Sequence, residues 1–183
     1  MSKIKLPHAS GNSVSIAAPE SNPAADRTLY LPSNADGTIV SSVYGPTFFA
    51  RGGSSAIANT TNTTVPYANE KWDSHNCYNT STYRFTPNLA GYYHIHAIAQ
   101  LASISGRTSL DIYKNGARWT NIEFDTESSG NTNGLQLTTL VAMNGTTDYV
   151  SVNIYQASGS SKDLVDGNTW EANEFSGYWV RGL

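Results

Sequence analysis

An all-β sandwich is the fold class this sequence predicts, on three observations. No segment keeps a 3.6-residue apolar period over eleven residues, whereas several short segments alternate apolar and polar residues with period two. Polarity comes from Ser, Thr and Asn, which number 22, 19 and 17 of 183 residues, while Asp, Glu, Lys and Arg make up only 14%. That mixture suits turns and strand faces and is poor in helix formers. Turn chemistry is also present: "KNGAR" places Asn115-Gly116 where a two-residue hairpin loop needs two positive φ angles, and "MNGTTDY" marks a longer turn.

From Pro46 onward the strands are expected at "TFFAR" (47–51), "SAIANTTNTTVPY" (55–67, with a break) and "TYRFTP" (82–87). They continue at "GYYHIHAIAQL" (91–101), "TSLDIYK" (108–114), "ARWTNIEF" (117–124), "GLQLTTLVAM" (134–143), "DYVSVNIYQ" (148–156) and "NEFSGYWVRG" (173–182). In 91–101, Tyr93, Ile95, Ala97, Ala99 and Leu101 share one apolar face, which belongs in the sandwich interior. Tyr92, His94, His96, Ile98 and Gln100 share the other, of the mixed character expected where a surface is buried only on assembly.

Residues 1–44 read differently. "SVSIAA" and "TLYLP" alternate, but Pro19, Pro23, Pro32, Gly11 and "NADG" interrupt them. Strands this short cannot build an independent core, so Val14, Ile16, Leu29, Leu31 and Ile39 need neighbouring chains to bury them. The division expected is a β-rich stalk or trimerisation segment over 1–44 and a head over 45–183.

Composition excludes several roles. A net charge of −3 gives no electrostatic footprint for nucleic acid. No run approaches the roughly 20 apolar residues of a membrane span, and "MSKIKLPHAS" has no apolar h-region, so synthesis in a cytoplasm is expected. The sequons at Asn59, Asn62, Asn79 and Asn144 then read as by-products of an Asn- and Thr-rich composition. The single cysteine, Cys77, excludes an intrachain disulfide; His75 lies two residues away, but a small buried residue is the favoured reading.

The segments "TFFARG", "TVPY", "CYNTSTYRFTPNLAGYYHIHA", "DYVSV" and "FSGYWVRG" resemble, in order and spacing, the globular head of the complement first-component q subunit (C-one-q), within the tumour-necrosis-factor jelly-roll superfamily. Phe85-x-Pro87-x-x-x-Gly91-Tyr92-Tyr93 and Phe175-Ser176-Gly177-Tyr178 carry the resemblance most specifically, over about residues 46–183. It implies a ten-stranded jelly roll, a tight homotrimer whose inner sheet meets the threefold axis, and binding through apical loops. On that reading Tyr92, His94, His96 and Ile98 face the trimer interface, while Trp72 and Trp179 belong to the framework. The stretch "GNSVSIAAPESNPAADRTLYLPSNADGTIV" resembles segments that precede the tips of bacteriophage tail fibres, cyanophage fibres included. No Gly-x-y repeat of a collagen stalk is present.

Against this background the chemistry-bearing residues are weighed. Three copies of His94 and His96 could bring six imidazoles to one axis and hold a transition metal, but no third ligand type lies nearby, and a hydrogen-bonded polar contact is preferred. Asp125, Glu127, Asp163, Asp166, Glu171 and Glu174 could hold calcium, yet they match no calcium-loop pattern and read as solvated loop charges. Therefore no cofactor is expected. No nucleophile elbow, phosphate loop or zinc-protease helix motif is present, and no enzyme is expected. Trp119, with Arg118 and Asn121, and Trp170, with Asp163 and Asp166, are the receptor-binding candidates, because a flat ring among polar groups suits a sugar or protein surface.

The expected function follows: a phage receptor-binding tip at the distal end of a tail fibre, on the virion. Its partners would be itself as a homotrimer, upstream fibre proteins, and a bacterial surface glycan or protein receptor. A purely structural trimerisation or capping module is the alternative, with a polysaccharide depolymerase behind it.

Overall fold

A computed structural model describes residues 3–7, 10–11, 13–17, 45–166 and 172–183. The chain divides into two compact units, Met1–Ser41 and Ser42–Leu183. In the first, β1 (Lys3–Pro7) and β2 (Ser13–Ala17) form an antiparallel pair in which Ile4 stands opposite Ile16 and Leu6 opposite Val14. The strand expected at "TLYLP", with Leu29, Leu31 and Ile39, lies outside the described residues.

Among its described residues, the regular elements of the second unit are all strands. They are β3 (Thr47–Arg51), β4 (Ala56–Ile57), β5 (Thr63–Thr64), β6 (Asn69–Asp73), β7 (Tyr78–Asn79) and β8 (Arg84–Phe85). After them come β9 (Gly91–Lys114), β10 (Ala117–Met143), β11 (Val150–Gln156), β12 (Lys162–Asp163) and β13 (Glu174–Arg181).

Two of these strands are long enough to serve both layers of the sandwich. The first half of β9 pairs β13, from Tyr92 opposite Arg181 to Ile98 opposite Glu174. Its second half pairs β11, from Thr108 opposite Gln156 to Lys114 opposite Val150. Between the halves, Ser103 (φ 53°) and Gly106 (φ 76°) turn the backbone out of the extended region, and β10 shifts register over Thr126–Asn133 opposite them. The strand therefore leaves one sheet and enters the other. The first sheet runs β6-β3-β13-β9-β10, and the second runs β7-β8-β11-β9-β10 with β5 beside β11.

The inward faces of both sheets fill one core. Tyr93, Ile95, Ala97, Ala99 and Leu101 from the first meet Leu110, Ile112, Val152 and Ile154 from the second, all fully buried. Aromatic rings bridge the layers, Phe48 stacking on Phe85 at 4.3 Å and Phe85 meeting Tyr93 at 5.6 Å, while within the first sheet Phe175 meets Phe48 edge-on at 4.8 Å. Burial of this much apolar surface is the main force holding the layers together.

Local chemistry departs from the sequence reading at several places. The segments expected at 55–67 and 82–87 contain only the two-residue pairs β4, β5 and β8, because backbone donors there bond across turns: Tyr83 N–H donates to the Asn79 carbonyl, and Ala68 N–H to Pro66. Strands β6, β7 and β12 were not expected from the sequence. β6, "NEKWD", is an edge strand whose side chains are mostly exposed, so no alternation announces it. The hairpin at Asn115-Gly116 has φ 53° and 79°, as its sequence demands.

Candidate functional site

The outward face of the first sheet can be read row by row from the strand register. One row crosses it as Trp72, Phe49, Ser176, His96 and Thr138. The next crosses as Thr47, Tyr178, His94 and Leu140. Phe49 stacks on Trp72 at 4.8 Å and His94 on Tyr178 at 4.9 Å, while Tyr92, Leu140, Val180 and Arg181 line a shallow recess at one end. Leu140 is 57%, Trp72 53% and Tyr178 50% exposed, so this face carries a large apolar and aromatic area in water. The alternation read in residues 91–101 is observed: Tyr93, Ile95, Ala97, Ala99 and Leu101 point inward, and Tyr92, His94, His96 and Ile98 share the outward face.

Both histidines have partners within the chain. His96 Nδ1 lies 3.1 Å from Thr138 Oγ1, and the His94 ring is stacked. Desolvation lowers the His96 pKa, opposed by Glu174 and reinforced by His94. Among the described residues no three His, Cys, Asp or Glu side chains converge as a metal site would require. Trp72, expected within the framework, stands on the exposed face, whereas Trp179 packs against the core.

The second sheet presents a different outward face. In β9, Ser109, Asp111 and Tyr113 alternate with the inward Leu110 and Ile112; in β11, Ser151, Asn153 and Tyr155 alternate with Val152 and Ile154. Asp111 stands between Asn153 on β11 and Asn121 on β10. Its side chain is fully buried, yet it is an ionisable group on an outward face. Oδ2 accepts from Arg118 Nη2 at 3.0 Å and from Asn62 Nδ2 at 3.2 Å, and Asn62 also donates to the Tyr113 hydroxyl at 2.7 Å. Oδ1 has no hydrogen-bond partner among the described residues. The Asp111 carboxylate raises the pKa of Arg118 in turn.

The structure divides the predicted binding residues into two places. Arg118 and Asn121 come together beside Asp111, while Trp119, in the register shift after Arg118, is 48% exposed with Lys114 Nζ 5.9 Å from its ring centroid. This is the end of the head where the chain enters: Trp179 N–H donates to the Pro46 carbonyl, and Lys114 Nζ reaches the Ala142 carbonyl opposite Tyr92. Asp163 and Asp166 lie at the other end, where Leu164 bridges Leu101 and Val165 N–H donates to Gln100. Eight residues of extended β9 between Tyr92 and Gln100 put the ends about 25 Å apart. Trp170 lies outside the described residues.

Two fully buried amides organise that far end. Gln156 Nε2 donates to the carbonyls of Ile57 (3.1 Å) and Ser160 (2.9 Å), and its Oε1 accepts from Ser158 N–H. Asn173 Oδ1 accepts from Gln100 N–H at 2.7 Å, and its Nδ2 donates to the Val165 carbonyl. Asn59 Oδ1 accepts from Gly159 N–H, which fastens two loops side by side. Sequence reasoning missed Asp111, Tyr113, Tyr155, Gln156 and Asn173. The alternation in "LDIYK" and "VNIYQ" could have placed the first three outward, but nothing local separates Gln156 from an ordinary surface amide.

Cys77 is buried, with its thiol 3.5 Å from the His75 carbonyl oxygen, and desolvation pushes its pKa up. The His75 ring is engaged elsewhere, Nδ1 lying 2.7 Å from Ser74 Oγ. A protonated thiol with no imidazole beside it is a poor nucleophile.

Two β-sheets packed around one aromatic core, with long strands passing from layer to layer, define a jelly roll, and comparison with known proteins gives the same class. Neither a protein-family model nor a curated protein sequence matches the chain. Among solved structures, the globular domain of zebrafish complement 1qA superposes with a TM-score of 0.57 at 15% identity, covering 75% of this chain and 99% of that domain. The tumour necrosis factor Eiger from S. frugiperda gives 0.59 at 10% identity, over 76% and 94%. Murine APRIL gives 0.59 at 8% identity, over 75% and 100%. At these identities the likeness is one of fold: the head is a jelly roll of the complement-1q and tumour-necrosis-factor kind.

Proposed function

We infer that this chain is the receptor-binding tip of a bacteriophage tail fibre. It works as a homotrimer that attaches the virion to a glycan on its bacterial host. The observation that carries the reading is the outward face of the first sheet, where Trp72, Tyr92, Tyr178, Leu140 and Val180 stand exposed on a single chain. A face of this kind is stable in water when copies of the chain cover it. The fold it shares with complement 1qA and tumour necrosis factor heads and the fibre-like sequence of residues 4–41 support the same reading. Trimerisation gives adhesion its strength, since three weak contacts with a repetitive surface multiply through effective concentration.

The test is adsorption of the purified chain to whole cells of candidate bacterial hosts, followed by competition with polysaccharide extracted from the same cells. Adsorption that the polysaccharide abolishes is expected. Absence of adsorption to any host would leave only a structural role in capping a fibre, and release of reducing ends from the polysaccharide over time would point to a depolymerase.

A further inference from the structure

We propose that the outward face of the second sheet is a carbohydrate-binding platform, centred on Asp111 and flanked by Tyr113 and Tyr155, that takes a neutral polysaccharide. The proposal rests on the adhesion reading above and places the ligand on the flank of the head, away from its loops.

Three properties of this face point to a sugar. The first is its floor. Asp111 stands in register with Asn153 on one side and Asn121 on the other, so an acceptor-only carboxylate lies between amides that donate and accept. Asp111 Oδ1 is buried without a partner, and its neighbour Oδ2 is held by the side chains of Arg118 and Asn62. A sugar hydroxyl donates one hydrogen bond and accepts two, so it satisfies Oδ1 while accepting from Asn62 or Asn153. Both covering groups reach Asp111 from solvent: the Arg118 side chain is 47% exposed and Asn62 is exposed, so each can move aside without disturbing the core.

The second property is the pair of rings. Tyr113 stands opposite Ser151 and Tyr155 opposite Ser109, so the tyrosines lie diagonally across the Asp111–Asn153 pair. Four residues of strand separate their rows, about 13 Å, a span for several linked pyranose rings. Flat amphipathic rings beside hydroxyl-binding groups offer the apolar face of a sugar a place to stack at small entropic cost.

The third is charge. Arg118 neutralises Asp111, and Arg107 pairs with Glu123 at 2.8 Å on the same face. Among the described residues Asp125, opposite Arg107 on β10, remains as a surplus exposed carboxylate, so the face disfavours an anionic partner and suits a neutral glycan. The sandwich also turns this face away from the first sheet, so assembly through the first sheet leaves three such platforms open on one trimer.

Native electrophoresis of the full chain in gels cast with dextran, mannan, galactan or hyaluronate tests the proposal. Retardation by at least one neutral polymer and none by hyaluronate is expected. Affinity for that polymer should fall at least tenfold in Asp111→Asn and in Tyr155→Ala, each checked for an unchanged melting temperature and sedimentation coefficient. If Asp111→Asn fails to fold, Tyr155→Ala and Asn153→Ala carry the test. Unchanged retardation of the folded variants, retardation by hyaluronate alone, or none by any polymer would overturn it. The two readings separate on cells: variants that adsorb like the parent chain would move the receptor site elsewhere and keep adhesion, whereas a parent chain that fails to adsorb removes adhesion itself.

Discussion

Gln156 holds four bonding partners together from a position with no access to water: two carbonyls, one backbone N–H and the Ser158 hydroxyl. Replacing it with Leu keeps the apolar contacts and strands those partners, at a cost of about 1–3 kcal/mol for the buried groups left unpaired. Urea unfolding of Gln156→Leu should show that loss, with faster amide exchange at Ser158 and Gly159; parent-like stability would contradict the assigned role. His96 makes a prediction in pH. Desolvation lowers its pKa below the usual 6.5, with His94 adding to the shift, while Glu174, itself paired with Arg51, opposes it. The folded head therefore binds its proton less readily than the unfolded chain does. The His96 contribution is fully present above about pH 6.5 and is lost as pH falls through that value towards the lowered one. Thermal melts between pH 7.5 and 5.5 should decline, and His96→Gln should flatten part of the decline.

At the scale of elements, the close approach of β9 and β13 is set at Gly91. A Cβ there would collide with Trp179 Nε1 and lie 2.5 Å from the Arg181 carbonyl oxygen, so backbone must move to admit it. Gly91→Ala should destabilise the head by about 1–3 kcal/mol, the range for overpacking in a close-packed site, as measured by chemical denaturation. This part of the fold was legible in the sequence, because Gly91 and the alternation after it are local signals. Period two decided which of residues 91–101 face inward, and Asn115-Gly116 declared its own turn. The passage of β9 and β10 from one sheet to the other was not legible. It depends on Ser103 and Gly106 turning the backbone against the opposite loops, and Gly106 packs against the Ala157 carbonyl, which is remote in sequence. The edge strand β6 was equally hidden, since an exposed strand has no buried face to impose alternation.

On the scale of the whole molecule, the candidate sites were legible only as composition. The sequence marked Arg118, Trp119 and Asn121 as a polar-aromatic group; Arg118 and Asn121 stand beside Asp111, and the Trp119 ring lies by Lys114. It grouped Asp163 and Asp166 with the same purpose, yet they lie at the opposite end, a separation that only the pairing of distant strands determines. It could not show that Asp111 is buried under Asn62, 49 residues away in the chain. The two outward faces have distinct character, one apolar and one polar, and the proposed assembly uses the first. Leu140→Arg places a charge in the exposed apolar row beside His94 and should shift the chain towards monomer while leaving the core intact, which far-UV circular dichroism and sedimentation would show together. The central claim is tested most directly by sedimentation equilibrium of the full chain at micromolar concentration. A mass three times the chain's 19.7 kDa is the result predicted, and a stable monomer with that face open to water would contradict it.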